Sequence, residues 1–235
     1  MKSKLNLGAA CALLVLALAS VATAQTTLVT YNTDLAAPNI GAVSSSATFV
    51  NASSFTLNNV TLGRVVVAGS DHAAVINPTV AQTTVNLATT LSNATYFSIT
   101  LQPTSGYALN LASLSFEANA GGTSSPRGFA VFSSIGGFSA GSVLSQDNNG
   151  TGGTLTARPT QTTYSVALSS LAGYQNVTDS IEFRFYVQGA TAQSIDFDNI
   201  TINGSVSAIP EPSSYALLAG STFLMVALWS RRRRA

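Results

Sequence analysis

Ser180-Ile181-Glu182-Phe183-Arg184-Phe185-Tyr186-Val187-Gln188 decides the fold. Successive side chains of an extended chain point to opposite faces, so Ile181, Phe183, Phe185 and Val187 share one side and Glu182, Arg184, Tyr186 and Gln188 the other. This pattern predicts a strand with one face in a core and one in water, as in a sheet of a sandwich. Phe97, Ile99 and Leu101 alternate in the same way, and so do Leu114, Phe116 and Ala118. In the last strand the apolar phase slips from Ile195 and Phe197 to Ile200 and Ile202. A bulge near Asp198-Asn199 would restore the inward face.

Working outward, the body from Gln25 to Ser205 is rich in Ser, Thr, Asn, Gly, Ala and β-branched residues. Further predicted strands are Thr27 to Tyr31, Thr61 to Ala68, Thr83 to Ala88, Tyr96 to Leu101, Ala112 to Ala118, Gly128 to Ser133, Thr163 to Leu168 and Ser194 to Asn203. No helix is predicted within the body. Many short strands joined by turn-rich segments predict an all-β fold, a two-sheet antiparallel β-sandwich of the jelly-roll kind. Ser44 to Ser54, Gly121 to Ser125 and the Gly-Asn-Thr loop Gln146 to Thr156 are small-residue segments that serve either as ligand-binding loops or as plain connectors.

The front of the chain reads as an export signal. Lys2 and Lys4 precede the apolar run Leu13 to Ala19, and Ala22-Thr23-Ala24 supplies the small residues of a cleavage site, so residues 1–24 are assigned to a signal peptide. The only cysteine, Cys11, lies inside that signal, which leaves the mature chain without disulfides. Between Gln25 and Ile209 there are four arginines, no lysine and eight acids, a net charge of about −4. Such a surface excludes nucleic acid as the natural partner, because phosphate binding needs clustered Lys and Arg.

The chain closes on Pro210-Glu211-Pro212, an apolar run from Tyr215 to Trp229, and Arg231-Arg232-Arg233-Arg234. As a helix the fifteen residues of that run span roughly 22 Å. Snorkelling arginines and interfacial Tyr215 and Trp229 make so short a membrane span tolerable, with residues 213–229 as the anchor. A proline-flanked carboxylate, a hydrophobic helix and a basic stop, in that order, resemble the C-terminal sorting signal of the PEP-CTERM proteins. The resemblance implies that exosortase, a membrane-embedded processing enzyme, recognises Pro210-Glu211-Pro212 and releases the body to the cell surface or an extracellular polysaccharide matrix. From Tyr96 onward the body is also similar to the β-sandwich of many such proteins. That likeness rests on Gly106-Tyr107, Leu114-Ser115-Phe116-Glu117, Gly137-Phe138 and Ile195-Asp196-Phe197-Asp198-Asn199-Ile200, and these bodies are in turn similar to carbohydrate-binding jelly rolls.

Little else points to chemistry. Gly137-Phe138-Ser139-Ala140-Gly141 fits the G-x-S-x-G pattern of serine hydrolases, but the only histidine, His72, precedes Ser139 and no helix follows it, so His72 is read as an exposed loop residue. Asp196 and Asp198 share a face that alternation directs to solvent or a concave surface, the arrangement a glycosidase pair would need. Asp198 and the Asn199 amide are weak candidates for calcium, the favoured alternative being that they organise the bulge through backbone hydrogen bonds. Were the body to bind carbohydrate, exposed aromatics would do it, with Tyr186 first and Tyr107 and Tyr174 in turn regions. The expectation is a non-enzymatic exported protein with three parts: signal peptide 1–24, β-sandwich 25–206 and sorting signal 207–235. The alternatives are a carbohydrate-binding module and, behind it, a secreted glycoside hydrolase or esterase.

Overall fold

The computed structural model describes residues 26–34, 39–68, 71–84, 86–124, 126–150, 152–191, 193–210, 220 and 229–232. The segment read as a signal peptide, Glu211, Pro212, Arg233, Arg234 and most of the apolar run before the arginines lie outside these residues. Among the described residues no helix is long and apolar enough to cross a membrane.

In chain order the elements are β1 (Thr26–Asn32), β2 (Ala42–Ser46), β3 (Val50–Ala52), β4 (Thr56–Asn58), β5 (Val60–Ala68), β6 (Asp71–Pro78), α1 (Leu87–Asn93), β7 (Tyr96–Pro103), β8 (Tyr107–Ala120), β9 (Gly128–Ser133), β10 (Ser145–Asn148), β11 (Thr162–Ala167), β12 (Ile181–Gln188) and β13 (Ile195–Ala208). Two antiparallel sheets result. The first runs β11-β8-β13-β1-β2, with β6 and then β5 continuing from the other end of β13. The second runs β10-β9-β12-β7-β3, with β4 also on β7.

The long strand β13 organises the first sheet. Along one edge it pairs with β8 from Ile195↔Ala120 to Ala208↔Tyr107; along the other it pairs first with β6 and then with β1. Between those two neighbours sits the predicted bulge. Asp198 faces Glu117 and Thr201 faces Ser115, so Asn199 and Ile200 together oppose Phe116. Asn199 takes the left-handed conformation, φ 50°, which short polar side chains tolerate best among non-glycine residues.

Packing explains why the alternation is strict where it is. Phe116 and Phe197 from the first sheet interleave with Phe97, Phe129 and Phe185 from the second, all five essentially fully buried. Ring centroids lie 4.7 Å apart for Phe97–Phe185, 5.4 Å for Phe116–Phe185 and 5.8 Å for Phe129–Phe197. Each such ring contributes about 1.5–3 kcal/mol by burial, and edge-to-face pairs about 0.5–1.5 kcal/mol more.

Two expectations are corrected. Among the described residues of the segment Thr83 to Ala88 none is in a strand, and the body is not free of helix, because α1 begins at Leu87. Asn86 caps α1 by accepting a hydrogen bond from the Thr89 N–H (3.1 Å), and Ala94 ends it in the left-handed region. Leu87 and Leu91, one turn apart, pack onto Tyr186 and Phe132 on the outer face of the second sheet. That face was expected to be wet, and a segment distant in sequence covers part of it.

Candidate functional site

The outward residues of β12 lead to the site. Arg184 makes a two-pronged ion pair with Glu182, Nε–Oε1 and Nη2–Oε2 both 3.0 Å. Its guanidinium also lies 3.7 Å from the Phe138 ring centroid and 4.6 Å from that of Tyr96. Partial burial works against its charge, yet the bonds to Glu182 and Tyr186 outweigh it and raise the Arg184 pKa.

Tyr186 lies on the outward face as read, but it is not exposed. It is 3% accessible, with its ring 4.9 Å from Tyr96 and 5.4 Å from Phe132. Burial first, only partly offset by Arg184, raises its pKa. Tyr174 is buried too, its hydroxyl bonded to that of Ser133. The expectation that these two offer open aromatic faces is therefore corrected. Tyr107 is half-buried and stacks on exposed Phe49 with centroids 3.9 Å apart.

Next to Tyr186 along β12, Gln188 helps line a cavity of about 330 Å³, together with Leu87, Phe129, Gln146, Asp147, Asn148 and Gly152. Its place follows from the register. Gly128 stands between Asn148 on β10 and Gln188 on β12. A Cβ on Gly128 would lie 2.9 Å from Asn148 Cβ and 3.1 Å from Gln188 Oε1, so the glycine lets these two neighbours close over it. Gln188 is 3% accessible, and its Oε1 is buried without a hydrogen-bond partner.

The opposite wall is held by Asp147. Its Oδ1 accepts from the N–H groups of Asn148 (2.7 Å) and Thr154 (2.8 Å); its Oδ2 accepts from the Thr154 hydroxyl and the Tyr164 phenol, both 2.7 Å. Burial alone would raise its pKa, but the bonds from Thr154, Tyr164 and Asn148 lower it, so the carboxylate stays charged. With these four donors Asp147 ties the Gln146–Thr156 loop to β11. Asn148 Oδ1 accepts from the Gly150 N–H (2.8 Å) and shapes the turn.

The paired carboxylates share a face of β13, as read, but neither is open to solvent or to a substrate. Asp196 is fully buried and gripped by Arg158, Nε–Oδ2 2.9 Å and Nη2–Oδ1 2.7 Å, with Asn119 adding a third bond at 3.0 Å. Asp198 is 2% accessible, and its Oδ1 accepts from the Thr33 hydroxyl and the Asn199 N–H. Burial raises its pKa, against the pull of those two bonds. The Asn199 amide is exposed and donates to Glu117 Oε2 (3.1 Å), so the two calcium candidates already have separate partners. Among the described residues no group of three or more His, Cys, Asp or Glu side chains is gathered as a metal site.

His72 is not a loop residue. It lies on β6 of the first sheet, its N–H bonded to Asp34 Oδ1 (3.0 Å). Ser139 follows β9 of the second sheet and sits against Ser142, 3.4 Å between hydroxyls, at the head of a 3-10 turn. The structure does not assemble a hydrolase dyad from them. The cavity residues Gln188, Asn148 and Gln146 were not singled out as binding residues by the sequence. The available signals were the Gly-Asn-Thr loop and the outward position of Gln188.

No family model matches the chain, and no curated protein matches it. Among solved structures, a family 29 carbohydrate-binding module from Piromyces equi is similar at 9% identity and a TM-score of 0.38, over 79% of this chain and 93% of that one. A family 11 carbohydrate-binding module from Clostridium thermocellum, in complex with a β-1,3-1,4-mixed-linked tetrasaccharide, is similar at 12% identity and 0.33, over 75% and 96%. A cyclase from Fischerella sp. TAU is similar at 11% and 0.33, over 82% and 94%. The likeness is weak by both measures, and the site stands on its own residues.

Proposed function

We propose that this chain is an exported surface or extracellular-matrix protein, a jelly-roll body delivered by a C-terminal PEP-CTERM signal that exosortase reads. One observation carries the reading. Among the described residues, a backbone hydrogen bond joins Ile209 N–H to Gly106 O (2.8 Å) at the edge of the sandwich, and the next residue is exposed Pro210. The proposed three-part tail begins at this proline. Pro210-Glu211-Pro212 then stands just outside the membrane, residues 213–229 hold it there, and Arg231 to Arg234 stop transfer. Coexpression with an exosortase tests this: Glu211→Ala, or replacement of the four arginines by glutamine, should leave full-length, cell-bound protein. Normal release of both variants would refute it.

The second reading concerns what the body does once outside. An amide-walled cavity on an acidic, cysteine-free sandwich supports retention of a polysaccharide, not its cleavage. Retention of the host's own matrix polysaccharide by the full chain on immobilised protein checks it, and absence of retention contradicts it.

A further inference from the structure

We infer that the cavity between Asn148 and Gln188 is a subsite for one neutral sugar unit, with Gln188 as its recognition residue; this rests on the reading that the body holds polysaccharide. Gln188 lines the cavity and is almost fully buried, and its amide oxygen has no hydrogen-bond partner. A buried amide oxygen without a donor is costly, so the fold retains a group that a ligand hydroxyl would satisfy. The terminal torsion of glutamine is soft, and turning the carbonyl toward the cavity breaks no hydrogen bond of that oxygen.

Size and chemistry narrow the ligand. A volume of about 330 Å³ lies at the small end for ligand pockets, enough for one sugar ring and not for a chain. Gln146, Asn148 and Gln188 bring amide groups, which both donate and accept, as sugar hydroxyls do. Leu87 supplies apolar surface for the C–H face of a ring. The remaining polar group is the Asp147 carboxylate, which its four donors keep ionised. A uronic acid would bring a second negative charge beside it, so the site discriminates for neutral sugars.

The test uses the full chain in a sugar-free detergent, titrated calorimetrically with neutral gluco-, galacto- and manno-oligosaccharides and with an oligogalacturonate of equal length. A neutral probe should bind and the oligogalacturonate bind more weakly. Gln188→Leu should weaken the neutral probe about tenfold or more, since one buried hydrogen bond is lost. Its melting temperature should hold or rise, because the unpaired oxygen is gone. Exposed Gln146→Ala, which leaves the interior untouched, should also weaken binding. If both variants bind like the parent, the subsite is wrong while the polysaccharide reading stands. A large fall in melting temperature for Gln188→Leu would make that amide structural and overturn the inference. If matrix polysaccharide is retained but no neutral probe binds, the ligand class is wrong. If nothing is retained or bound, the reading of the body fails and the subsite with it.

Discussion

Asp147 and Asp198 are two acids on which the fold acts with opposite sign. Asp147 has its pKa depressed below about 3.8, so its contribution is present above that pH and is lost as pH falls through the native value. Asp147→Asn should therefore lower stability at pH 7 by about 1–2 kcal/mol, hydrogen bonds to a charge being worth that much when partly exposed, and the deficit should vanish in strong acid. Asp198 has its pKa raised by burial, so its ionisation opposes folding, and stability is lost as pH rises from the unfolded value toward the native one. Asp198→Asn should be as stable as the parent at pH 7 or more so. Melting temperatures of both variants from pH 2 to 8 check the pair of signs. A third acid, Asp196, is committed to Arg158 inside the protein. Asp196→Ala removes the acceptor of partly exposed Arg158 and of buried Asn119, and should cost about 1–3 kcal/mol in chemical denaturation.

At the scale of elements, the β13 bulge and α1 mark what could and could not be seen in the sequence. The bulge was legible because the apolar phase of Ile195, Phe197, Ile200 and Ile202 must slip by one somewhere, and Asp198-Asn199 offered the residue types that bear it. Asn199→Gly should be neutral, whereas Asn199→Val should cost about 1–2 kcal/mol by forcing a β-branched residue to positive φ. The inward face of β12 was legible for the same reason. Its outward face was not, because what covers Tyr186 comes from residues 87–91 and 138–143, and alternation says nothing about a lid supplied by another part of the chain. Asn86 as cap and Leu87–Leu91 as a pair were weak signals, masked by Thr89, Thr90 and Ser92, which are poor helix formers. Asn86→Ala should destabilise by about 1 kcal/mol, and faster hydrogen exchange over 87–93 would locate the loss. The cavity was half legible, since the Gly-Asn-Thr loop marked its rim. That Asn148 and Gln188 meet there depends on both pairing with Gly128 across two strand pairs, a register the sequence does not print.

For the whole molecule, the proposed division is between the two-sheet sandwich and a C-terminal tail. The sandwich is held by an aromatic core and by the ion pair of buried Asp196 with partly exposed Arg158. In the proposal the tail follows Ile209 and carries the parts that address the body. Mass spectrometry of the C-terminus of protein recovered from the extracellular fraction tests the central claim most directly. A terminus within or beside Pro210-Glu211-Pro212, with the arginines removed, is the predicted result; extracellular protein continuing to Ala235 would contradict it.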